Sequence, residues 1–416
     1  MQTRPCRVEI RTRALEENFR FLASLVAPQA ELLAIVKADA YGHSLAHCAP
    51  AAVRGGARWL GVTSVEEGVA ARALCPSVNI LVIAGVFPGQ AAALIEHRLT
   101  PVVWDAWHID ELEAAARAAG LDPGALPVHL EIDTGMSRQG TSPETLPAIL
   151  ARLLPASPLR LEGVMTHLFA ADEADGRVTA AQLGRLDETL SRISSAGLFG
   201  EWLNVGNSAA LVAGQTGAIA DLAARHGMKT MLRPGLALYG LVPEFDPDFE
   251  STLESTQPEP LTAARAHLQP VLRWTTEVVS LRSVAPGTVV GYNGTFVASE
   301  PMQLALIAAG YGDGLTRSHG NRLSLLVRGE RAPLVGRVSM DQAVLDVTGI
   351  PGVKPGDEVV ILGTQGMGRQ GPEMQDLGTQ AGPAAAITAF DHARAAGTIP
   401  WEIFTRIAPR VPRIAV

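Results

Sequence analysis

Long apolar runs are missing from this sequence, and cysteine is scarce. No stretch of 18 uninterrupted apolar residues occurs, so the sequence predicts no transmembrane helix and no membrane partner. The first ten residues lack an apolar core, and we therefore expect no signal peptide. Cys6, Cys48 and Cys75 are scattered without a Cys-x-x-Cys spacing, which argues against a disulfide or zinc framework. These absences favour a reducing compartment, and we expect a cytoplasmic protein.

Positive charge is in the minority. With 34 Lys and Arg residues against 42 Asp and Glu residues, the formal net charge is −8. A nucleic-acid partner would require a clustered basic face, so we expect none, and the charge balance suits a protein that handles small molecules. Hydrophobic residues make up 47% of the 416 residues, which is enough for a core in each of two domains.

Short apolar runs alternate with helical stretches in the first part of the chain. Most runs are followed by an amphipathic segment, such as Ile109–Ala119 or Gln182–Ala196. Continuous apolar strands that alternate with helices indicate parallel strands buried on both faces. Eight such units match a (β/α)8 barrel, and a doubly wound open sheet is the alternative. The eight runs are Leu32–Val36, Trp59–Val62, Asn79–Ile83, Pro101–Trp104, Val128–Ile132, Leu161–Met165, Trp202–Val205 and Thr230–Leu232.

The pattern changes after Tyr239. The segment Pro243–Pro260 is rich in Pro, Glu, Asp, Ser and Thr and is predicted to be a loop. From Pro270 onward, apolar runs alternate with tight turns, which indicates a mainly antiparallel β domain with one or two helices around Asp376–Ala396. The sequence leaves open whether Arg7–Ile10 adds the first strand of this domain. The predicted divisions are a barrel over 8–242, a linker over 243–268 and a β domain over 269–416.

Polar residues follow several of the barrel runs, at the end where a barrel places its active site. Lys37 follows the first run, His167 the sixth, Asn207 and Ser208 the seventh, and Arg233 the eighth. A lysine that ends a buried strand loses solvation, which lowers its pKa and frees the amine to form a Schiff base. The alternative for Lys37, on its own residues, is a side chain that simply leaves the strand for solvent. The repetition at several strand ends outlines an active site.

The run Ala34–Gly42, followed by His43, resembles the cofactor-lysine signature of the alanine racemase family, with a tyrosine four residues after the lysine. Further segments resemble family motifs, in the family's order, over nearly the whole chain. The resemblance implies a (β/α)8 barrel followed by a β domain, pyridoxal 5′-phosphate as cofactor, and an amino-acid substrate. These segments are Ile132–Arg138, Met165–His167, Asn207–Ser208, Arg233–Gly240, Gly291–Gly294, Gly336–Asp341 and Pro409–Arg413.

Racemisation removes the Cα proton on one face of the substrate and returns one on the other, so it needs two opposed bases. The resemblance implies that Lys37, freed when the substrate replaces it on the cofactor, is one base. It implies that Tyr292 of the second subunit is the other. By itself, Tyr292 would be interpreted as a strand aromatic at a turn. The family match therefore also implies an obligate homodimer with two composite sites.

Arg233 matches the family arginine that faces the pyridine nitrogen of the cofactor. Most enzymes with this cofactor place a carboxylate there and keep the nitrogen protonated. A guanidinium cannot accept that proton, so we expect an unprotonated nitrogen, a poorly delocalised carbanion and few side reactions such as transamination. His167 resembles the histidine that links this arginine to the partner's tyrosine. The alternatives are a salt-bridged arginine and a core histidine bonded to a backbone carbonyl.

The resemblance assigns a phosphate cradle to Tyr41, Ser208 and the backbone N–H groups of Gly235 and Leu236, with Asn207 beside them. A residue without Cβ, such as Gly235, lets the backbone approach a phosphate closely.

Two further residues are implied to bind the substrate. Arg138 matches the residue that contacts the cofactor's phenolic oxygen and the substrate carboxylate, which suits a fork of donors. The backbone N–H of Met340 would hold the same carboxylate from the partner chain. No metal site is expected.

The sequence departs from the family pattern at two positions. Glu131 stands where many members carry a carbamylated lysine that orients the arginine equivalent to Arg138, so we predict no carbamate. His129, Glu131 and Asp133 share one face of a strand, which should point into the barrel. Trp401 stands where the family has a tyrosine whose hydroxyl reaches the cofactor phosphate. This second change puts the substrate in question more than the reaction.

Three other functions stay open from the sequence. The first is a racemase of the same family that prefers serine or accepts a broad range of amino acids. The second is a decarboxylase of related barrel fold, although none of its motifs is present. The third is a cofactor carrier that consists of the barrel alone, and the second domain with Tyr292 argues against it.

Overall fold

The structure is a computed structural model that describes residues 4–153, 155–173, 176–245, 259–365 and 386–416. It divides into two compact units. The barrel unit comprises Thr12–Ala40 and Leu45–Gln269, and the β unit comprises the described parts of Met1–Arg11, Tyr41–Ser44 and Pro270–Val416. No helix among these described residues is both long and apolar enough to cross a membrane.

Eight parallel strands close into a barrel, which confirms the fold predicted for the first part of the chain. They are nearly all buried along their length, as expected for strands covered by helices outside and side chains inside. Gly163 has no side chain where the His129 imidazole enters the barrel, and a Cβ there would lie 2.6 Å from that ring. With β1 spanning Arg7–Ile10, the barrel strands are β2 Glu31–Ile35, β3 Trp59–Val62, β4 Asn79–Val82, β5 Thr100–Val103, β6 Leu126–Glu131, β7 Leu159–Met165, β8 Trp202–Asn204 and β9 Lys229–Leu232.

Helices connect the barrel strands. The longest, Arg177–Ser195, buries a face whose residues recur every three or four positions, including Gln182, Leu186, Leu190 and Ile193. The other helices of the unit that precede residue 243 include Thr12–Ser24, Leu45–Gly55, Val65–Leu74, Ala91–Glu96, Ala106–Ala118, Leu146–Leu150, Ser208–Val212 and Thr216–Arg225, with a 3₁₀ turn over Leu236–Tyr239.

The segment 243–268, which the sequence predicts to be a linker, is partly helical, and this corrects the prediction. A helix spans Glu259–His267, and its Leu261 and Ala264 are buried. The His267 ring stacks on Phe21 of the first helix, with ring centroids 4.9 Å apart. Tertiary packing therefore orders a stretch whose composition indicates a loop, and the proline in its first turn costs no helical hydrogen bond.

The β unit is mainly antiparallel, as predicted. Besides β1, its strands are β10 Leu272–Val284, β11 Val289–Val290, β12 Phe296–Val297, β13 Met302–Ile307, β14 Ser324–Val327, β15 Glu330–Pro333, β16 Ala343–Asp346, β17 Glu358–Thr364, β18 Ala386–Ile387 and β19 Arg413–Ala415. The main sheet has the order β15-β14-β17-β10-β1-β19; β13, β16 and β18 pair outside this path. Two short helices, Ala389–Ala396 and Pro400–Thr405, precede β19. The first agrees with part of the predicted Asp376–Ala396 region, of which 376–385 lie outside the described residues.

The first strand of the chain belongs to the β unit and not to the barrel. Strand β1 pairs antiparallel with β10, from Arg7 opposite Thr275 to Ile10 opposite Leu272, and parallel with β19. The barrel unit therefore starts at Thr12, which corrects its predicted start at residue 8. Sequence periodicity does not show this, because the partner strands lie at the other end of the chain.

Two histidines are buried against each other inside the β unit. The rings of His319 and His392 meet edge to face, with centroids 4.9 Å apart. The Nε2 of His392 donates to the carbonyl of Ile361 at 2.7 Å. Burial lowers the pKa of His319 to about 4, and burial together with the charge of His319 lowers the pKa of His392 to about 3. Both rings are therefore neutral in the folded protein at neutral pH.

We expect this pair to make the protein sensitive to mild acid. An unfolded histidine titrates near 6.5, so its stability contribution is complete above that pH and declines as the pH falls toward the folded pKa. Between pH 7 and 5, the free energy of unfolding should fall by up to roughly 1.4 kcal/mol per pH unit for each histidine. Urea unfolding at several pH values measures this. In His392→Gln, the free energy of unfolding should depend less on pH than in the wild-type protein. The control His97→Gln, in the other unit, should keep the wild-type dependence. If the wild-type protein and both variants show the same slope of free energy against pH, the acid sensitivity does not come from this pair.

Candidate active site

Polar side chains converge at the carboxyl ends of the barrel strands. Lys37 follows β2, Glu131 ends β6, His167 follows β7, and Arg233 follows β9. Arg233 donates to Nδ1 of His167 at 3.3 Å. The charges of Arg233, Arg138 and Lys37 lower the pKa of His167, and those of Arg233 and Arg138 act on the pKa of Glu131. The barrel unit thus brings together the residues that the sequence places after its strands.

Arg233 lies at the centre of this cluster, and its side chain is almost completely buried. One terminal nitrogen donates to both the backbone carbonyl and the side-chain oxygen of Asn204, each at 2.6 Å. The other donates to the carbonyl of Thr166 at 2.9 Å and to Nδ1 of His167 at 3.3 Å. These bonds use four of the five guanidinium N–H groups and leave the Nε–H as the remaining donor. Burial lowers the pKa of Arg233 to about 10, so it stays charged at neutral pH.

A guanidinium donates hydrogen bonds and accepts none, so Arg233 fixes the orientation of the Asn204 amide and the position of the proton on His129. Asn204 must turn its oxygen toward Arg233, so its amide nitrogen faces Nδ1 of His129 at 3.5 Å. His129 then accepts at Nδ1 and carries its proton on Nε2, which lies 3.6 Å from the Glu162 carboxylate, beyond hydrogen-bonding distance. A row of polar side chains thus crosses the barrel interior from Glu162 to Arg233.

His167 is also held neutral by its hydrogen bond with Arg233. Its Nδ1 accepts from Arg233, which leaves the proton on Nε2. Burial lowers the pKa of His167 to about 3, and the charges of Arg233, Arg138 and Lys37 add to the effect. Its backbone carbonyl accepts from the amide of Gln182 at 3.0 Å. His167 is therefore a fixed donor at Nε2 rather than a group that titrates near neutral pH.

Lys37 is part-buried, and the chain that follows it is strained. Burial lowers the pKa of the Lys37 ammonium; Arg138 and Arg233 lower it further, and Glu67 opposes them. Ala38, Asp39 and Ala40 all have left-handed backbone angles, with φ between 51° and 56°. For residues with a Cβ, this conformation costs about 1–2 kcal/mol each. Such strain persists only where the surroundings impose it.

Glu131 is buried and bonded to a residue that the sequence analysis did not single out. Its Oε2 accepts from the amide of Gln139 at 2.5 Å, and the same amide donates to the carbonyl of Ile83 at 3.1 Å. Burial raises the pKa of Glu131 to about 7, although this hydrogen bond and the charges of Arg233 and Arg138 oppose the rise. Glu131 therefore has Gln139, and not Arg138, as its direct hydrogen-bond partner.

The predicted phosphate cradle is partly closed by internal bonds. The Ser208 hydroxyl accepts from the N–H groups of Gly235 at 3.0 Å and Ala237 at 3.1 Å, so its own proton can be donated elsewhere. Asn207 caps the helix that begins at Ser208 and donates to Leu168 at 3.2 Å, which gives its side chain a local structural task. Leu236 begins a 3₁₀ turn, where the first N–H has no acceptor within the turn.

The remaining predicted residues lie in the β unit. Tyr41 is buried, which raises its pKa to about 12, and a hydrogen bond from Trp401 partly offsets the rise. The indole N–H of Trp401 is thus directed at the Tyr41 hydroxyl. Tyr292 and Met340 are 63% and 54% exposed in the chain. Met340 lies in a turn that Gly312 holds by donating to its carbonyl at 2.8 Å.

Asn204 and Gln139 are the site residues that sequence reasoning missed. Asn204 stands inside the apolar run Trp202–Val205, and a polar residue in an otherwise buried strand is a signal in itself. Gln139 follows Arg138 in the loop after β6, and its contact with Glu131 depends on how that loop folds back. No spacing in the sequence indicates that contact.

Two known sequence families match most of the chain. Residues 10–243 match the family described as alanine racemase, N-terminal domain. Residues 271–415 match the family described as alanine racemase, C-terminal domain. The chain belongs to the alanine racemase family. It is therefore an enzyme of the isomerase class.

Individual members of the alanine racemase family are similar over their full lengths. The alanine racemase of Sorangium cellulosum is 36% identical over 415 residues, which cover 99% of this chain and 98% of that protein. The crystal structure of alanine racemase from Streptomyces lavendulae superposes with a TM-score of 0.84 at 31% identity and covers 100% of this chain and 98% of its own. The Bartonella henselae alanine racemase, solved with covalently bound pyridoxal phosphate, has a TM-score of 0.78 at 24% identity and covers 100% of both chains. At that identity, the last comparison shows the fold alone.

Glu131 should carry a proton that is lost near neutral pH. Its folded pKa of about 7 lies above the ordinary 4.5, so its stabilising contribution is complete below 4.5 and disappears as the pH rises through 7. Infrared difference spectra should show one protonated carboxyl group that titrates with a midpoint near 7. Glu131→Gln should abolish this signal and Glu96→Gln should leave it. A signal that survives Glu131→Gln would assign the proton to another group.

Proposed function

We propose that this protein interconverts L- and D-alanine with pyridoxal 5′-phosphate, as a homodimer whose two active sites are each built from both subunits. The observation that carries the proposal is the cluster at the ends of the barrel strands. There, a lysine with a lowered pKa, a neutral histidine and two arginines lie together in a chain that matches the family over both domains.

The donors of the barrel unit fit the proposed cofactor. A phosphate ester, a ring nitrogen and a phenolic oxygen all accept hydrogen bonds, and the site offers the Ser208 hydroxyl, the Leu236 N–H, the Arg233 Nε–H and the Arg138 guanidinium. When bound, the cofactor supplies an electron-withdrawing system that acidifies the Cα proton of an attached amino acid. The Bartonella henselae enzyme, which shares the fold, carries it covalently.

Lys37 would hold the cofactor covalently and then act as a base. Burial and the two neighbouring arginines favour its neutral amine, which is the form that attacks a carbonyl carbon and accepts a proton. Once an amino acid displaces it, the free amine can remove the Cα proton on one face and later return one. The lowered pKa supports both tasks in a single residue.

Arg233 and His167 would set the electronic state of the site without titrating. The Nε–H of Arg233 can donate to a ring nitrogen but cannot give up its proton there. The ring would therefore stay unprotonated and withdraw electrons only weakly, which keeps the departing proton near Cα. The Nε2–H of His167 points away from Arg233 and is available to a tyrosine oxygen from the partner, whose phenolate it would stabilise.

Tyr292 is proposed as the opposing base, and Met340 as the backbone donor to the substrate carboxylate, both from the second subunit. Their exposure in the single chain suits residues that act in another subunit. Arg138 would bind the same carboxylate from the barrel side, since a guanidinium matches a carboxylate with two parallel bonds.

A broader substrate range is the second candidate function. Trp401 replaces the tyrosine expected near the phosphate and donates to Tyr41 instead, which changes the shape and the donors of this part of the site. Serine or larger amino acids are the substrates that such a change would admit. A panel of L-amino acids, followed by loss of optical rotation, distinguishes the two candidates.

Mixed dimers test the composite site. Tyr292→Phe should lower racemisation by about 10²–10⁴-fold, because it removes one proton-transfer group, and should retain the absorbance of the bound cofactor. Lys37→Ala should be inactive and should lose borohydride trapping. Unfolding and refolding the two variants together should restore roughly a quarter of wild-type activity, since half of the dimers then have one intact site.

The controls for this experiment are each variant refolded alone, which should stay inactive. If Tyr292 acts in the site of its own subunit, every site in the mixed dimers carries a lesion and no activity returns. An unchanged rate for Tyr292→Phe would remove the two-base assignment altogether.

A further inference from the structure

The left-handed turn after Lys37 is held by a carboxylate from a neighbouring strand–helix connection. Oε1 of Glu67 accepts from the backbone N–H of Ala38, the residue that follows Lys37, at 2.6 Å. Oε2 of Glu67 accepts from the backbone N–H of Thr63 at 2.9 Å and from its hydroxyl at 3.2 Å. The two oxygens therefore join the end of strand β3 to the first residue of the turn.

The position of Glu67 in its helix shows that this arrangement is more than a helix cap. Ser64 is the N-cap of the helix Val65–Leu74, and its hydroxyl accepts from the N–H of Glu67 at 3.2 Å. In a capping box, the glutamate side chain would return to the N-cap N–H. Here it reaches past the N-cap residue to Thr63 and across to Ala38. The side chain thus binds groups outside its own helix.

Other bonds hold the later part of the turn. The Asp39 carboxylate accepts from the N–H of Leu45 at 2.6 Å, and the N–H of Ala40 donates to the carbonyl of Val36 at 2.9 Å. Neither reaches the peptide that directly follows Lys37. Glu67 alone, among the described residues, binds that peptide through its side chain.

Glu67 is also the negative charge among the groups that act on Lys37. The others are Arg138 and Arg233, which are positive. His167, on which the charge of Lys37 acts, is neutral. A carboxylate beside a part-buried ammonium favours its charged form, so it limits how far burial and the two arginines lower the pKa of Lys37.

We propose that Glu67 is a positioning residue for Lys37: its carboxylate fixes the left-handed turn that aims the lysine, and its negative charge acts on the lysine amine. The inference rests on the proposed function, in which Lys37 carries pyridoxal phosphate. Glu67 need not touch the substrate or the cofactor for either task.

Two variants separate the effect of the Glu67 charge from the effect of its side-chain length. Glu67→Gln removes the charge and places an amide nitrogen against one of the backbone N–H groups. Glu67→Asp keeps the charge but is one methylene too short to span both. The matched control is Glu66→Gln, which removes an exposed carboxylate from the adjacent position of the same helix.

The measurement is covalent attachment of pyridoxal phosphate to the full-length protein after removal of its cofactor, followed by absorbance across a pH series. Attachment requires the neutral amine, so the midpoint of the rate against pH reports the titration of Lys37. Borohydride reduction and peptide mapping verify the attachment point. Circular dichroism establishes that each variant is folded.

In Glu67→Gln, the midpoint should move to lower pH, because the charge that favours the ammonium is gone. In Glu67→Asp, it should stay near the wild-type value. Both variants should release the cofactor about tenfold faster than wild type, since each loses a hydrogen bond to a charged group. Glu66→Gln should match wild type in both respects.

A purely structural role would lower the stability of both Glu67 variants and leave the midpoint of each unchanged, and this result would overturn the proposal. If Glu67→Gln does not fold, Glu67→Asp decides: wild-type release would overturn the positioning role. If borohydride labels a residue other than Lys37 in the wild-type protein, the proposed function fails instead, and the two failures are distinguishable.

Discussion

A buried guanidinium that must remain charged is the constraint on which the working end of the barrel depends. Arg233 cannot be left without partners, because an unpaired charge in a protein interior costs several kcal/mol. The carbonyls of Asn204 and Thr166 and the ring of His167 satisfy it, and they come from the ends of two neighbouring strands, β8 and β7. Its demand for acceptors fixes the Asn204 amide, the His129 tautomer and the His167 tautomer in turn. One side chain therefore determines the proton positions of three others.

Negative charge in the site is sparse. Glu131 keeps its proton up to about neutral pH because burial outweighs the nearby arginines. The Glu67 carboxylate accepts hydrogen bonds from two backbone N–H groups. The site is consequently rich in donors and poor in acceptors, which suits a cofactor with a phosphate, a ring nitrogen and a phenolic oxygen. The departure at Glu131 leaves the hydrogen bonds of Arg233 intact, because Glu131 binds Gln139 instead.

The strand pattern of the barrel could be predicted from sequence because burial on both faces leaves a local signature in each run. The helix Glu259–His267 could not, because its stability comes from Leu261, Ala264 and the stack on Phe21 rather than from composition. The run Lys37 to Ala40 has the composition of an ordinary helix start, and nothing local indicates a left-handed turn. That turn is imposed by Glu67, whose contact depends on the folded barrel. Local pattern thus predicts elements, whereas strained or polar contacts between elements need the three-dimensional structure.

The pairing of β1 with both β10 and β19 has a consequence for the order in which the protein is made. Residues Val8 to Ile10 are synthesised long before their neighbours Arg413 to Ala415. The central sheet of the β unit therefore cannot be completed until β19 has been made, whereas every strand of the barrel is available earlier. Contacts of such long sequence separation form slowly, because a long loop must close first. The edge of β1 that pairs with β19 thus stays unpaired until late in synthesis, when the last partner strand becomes available.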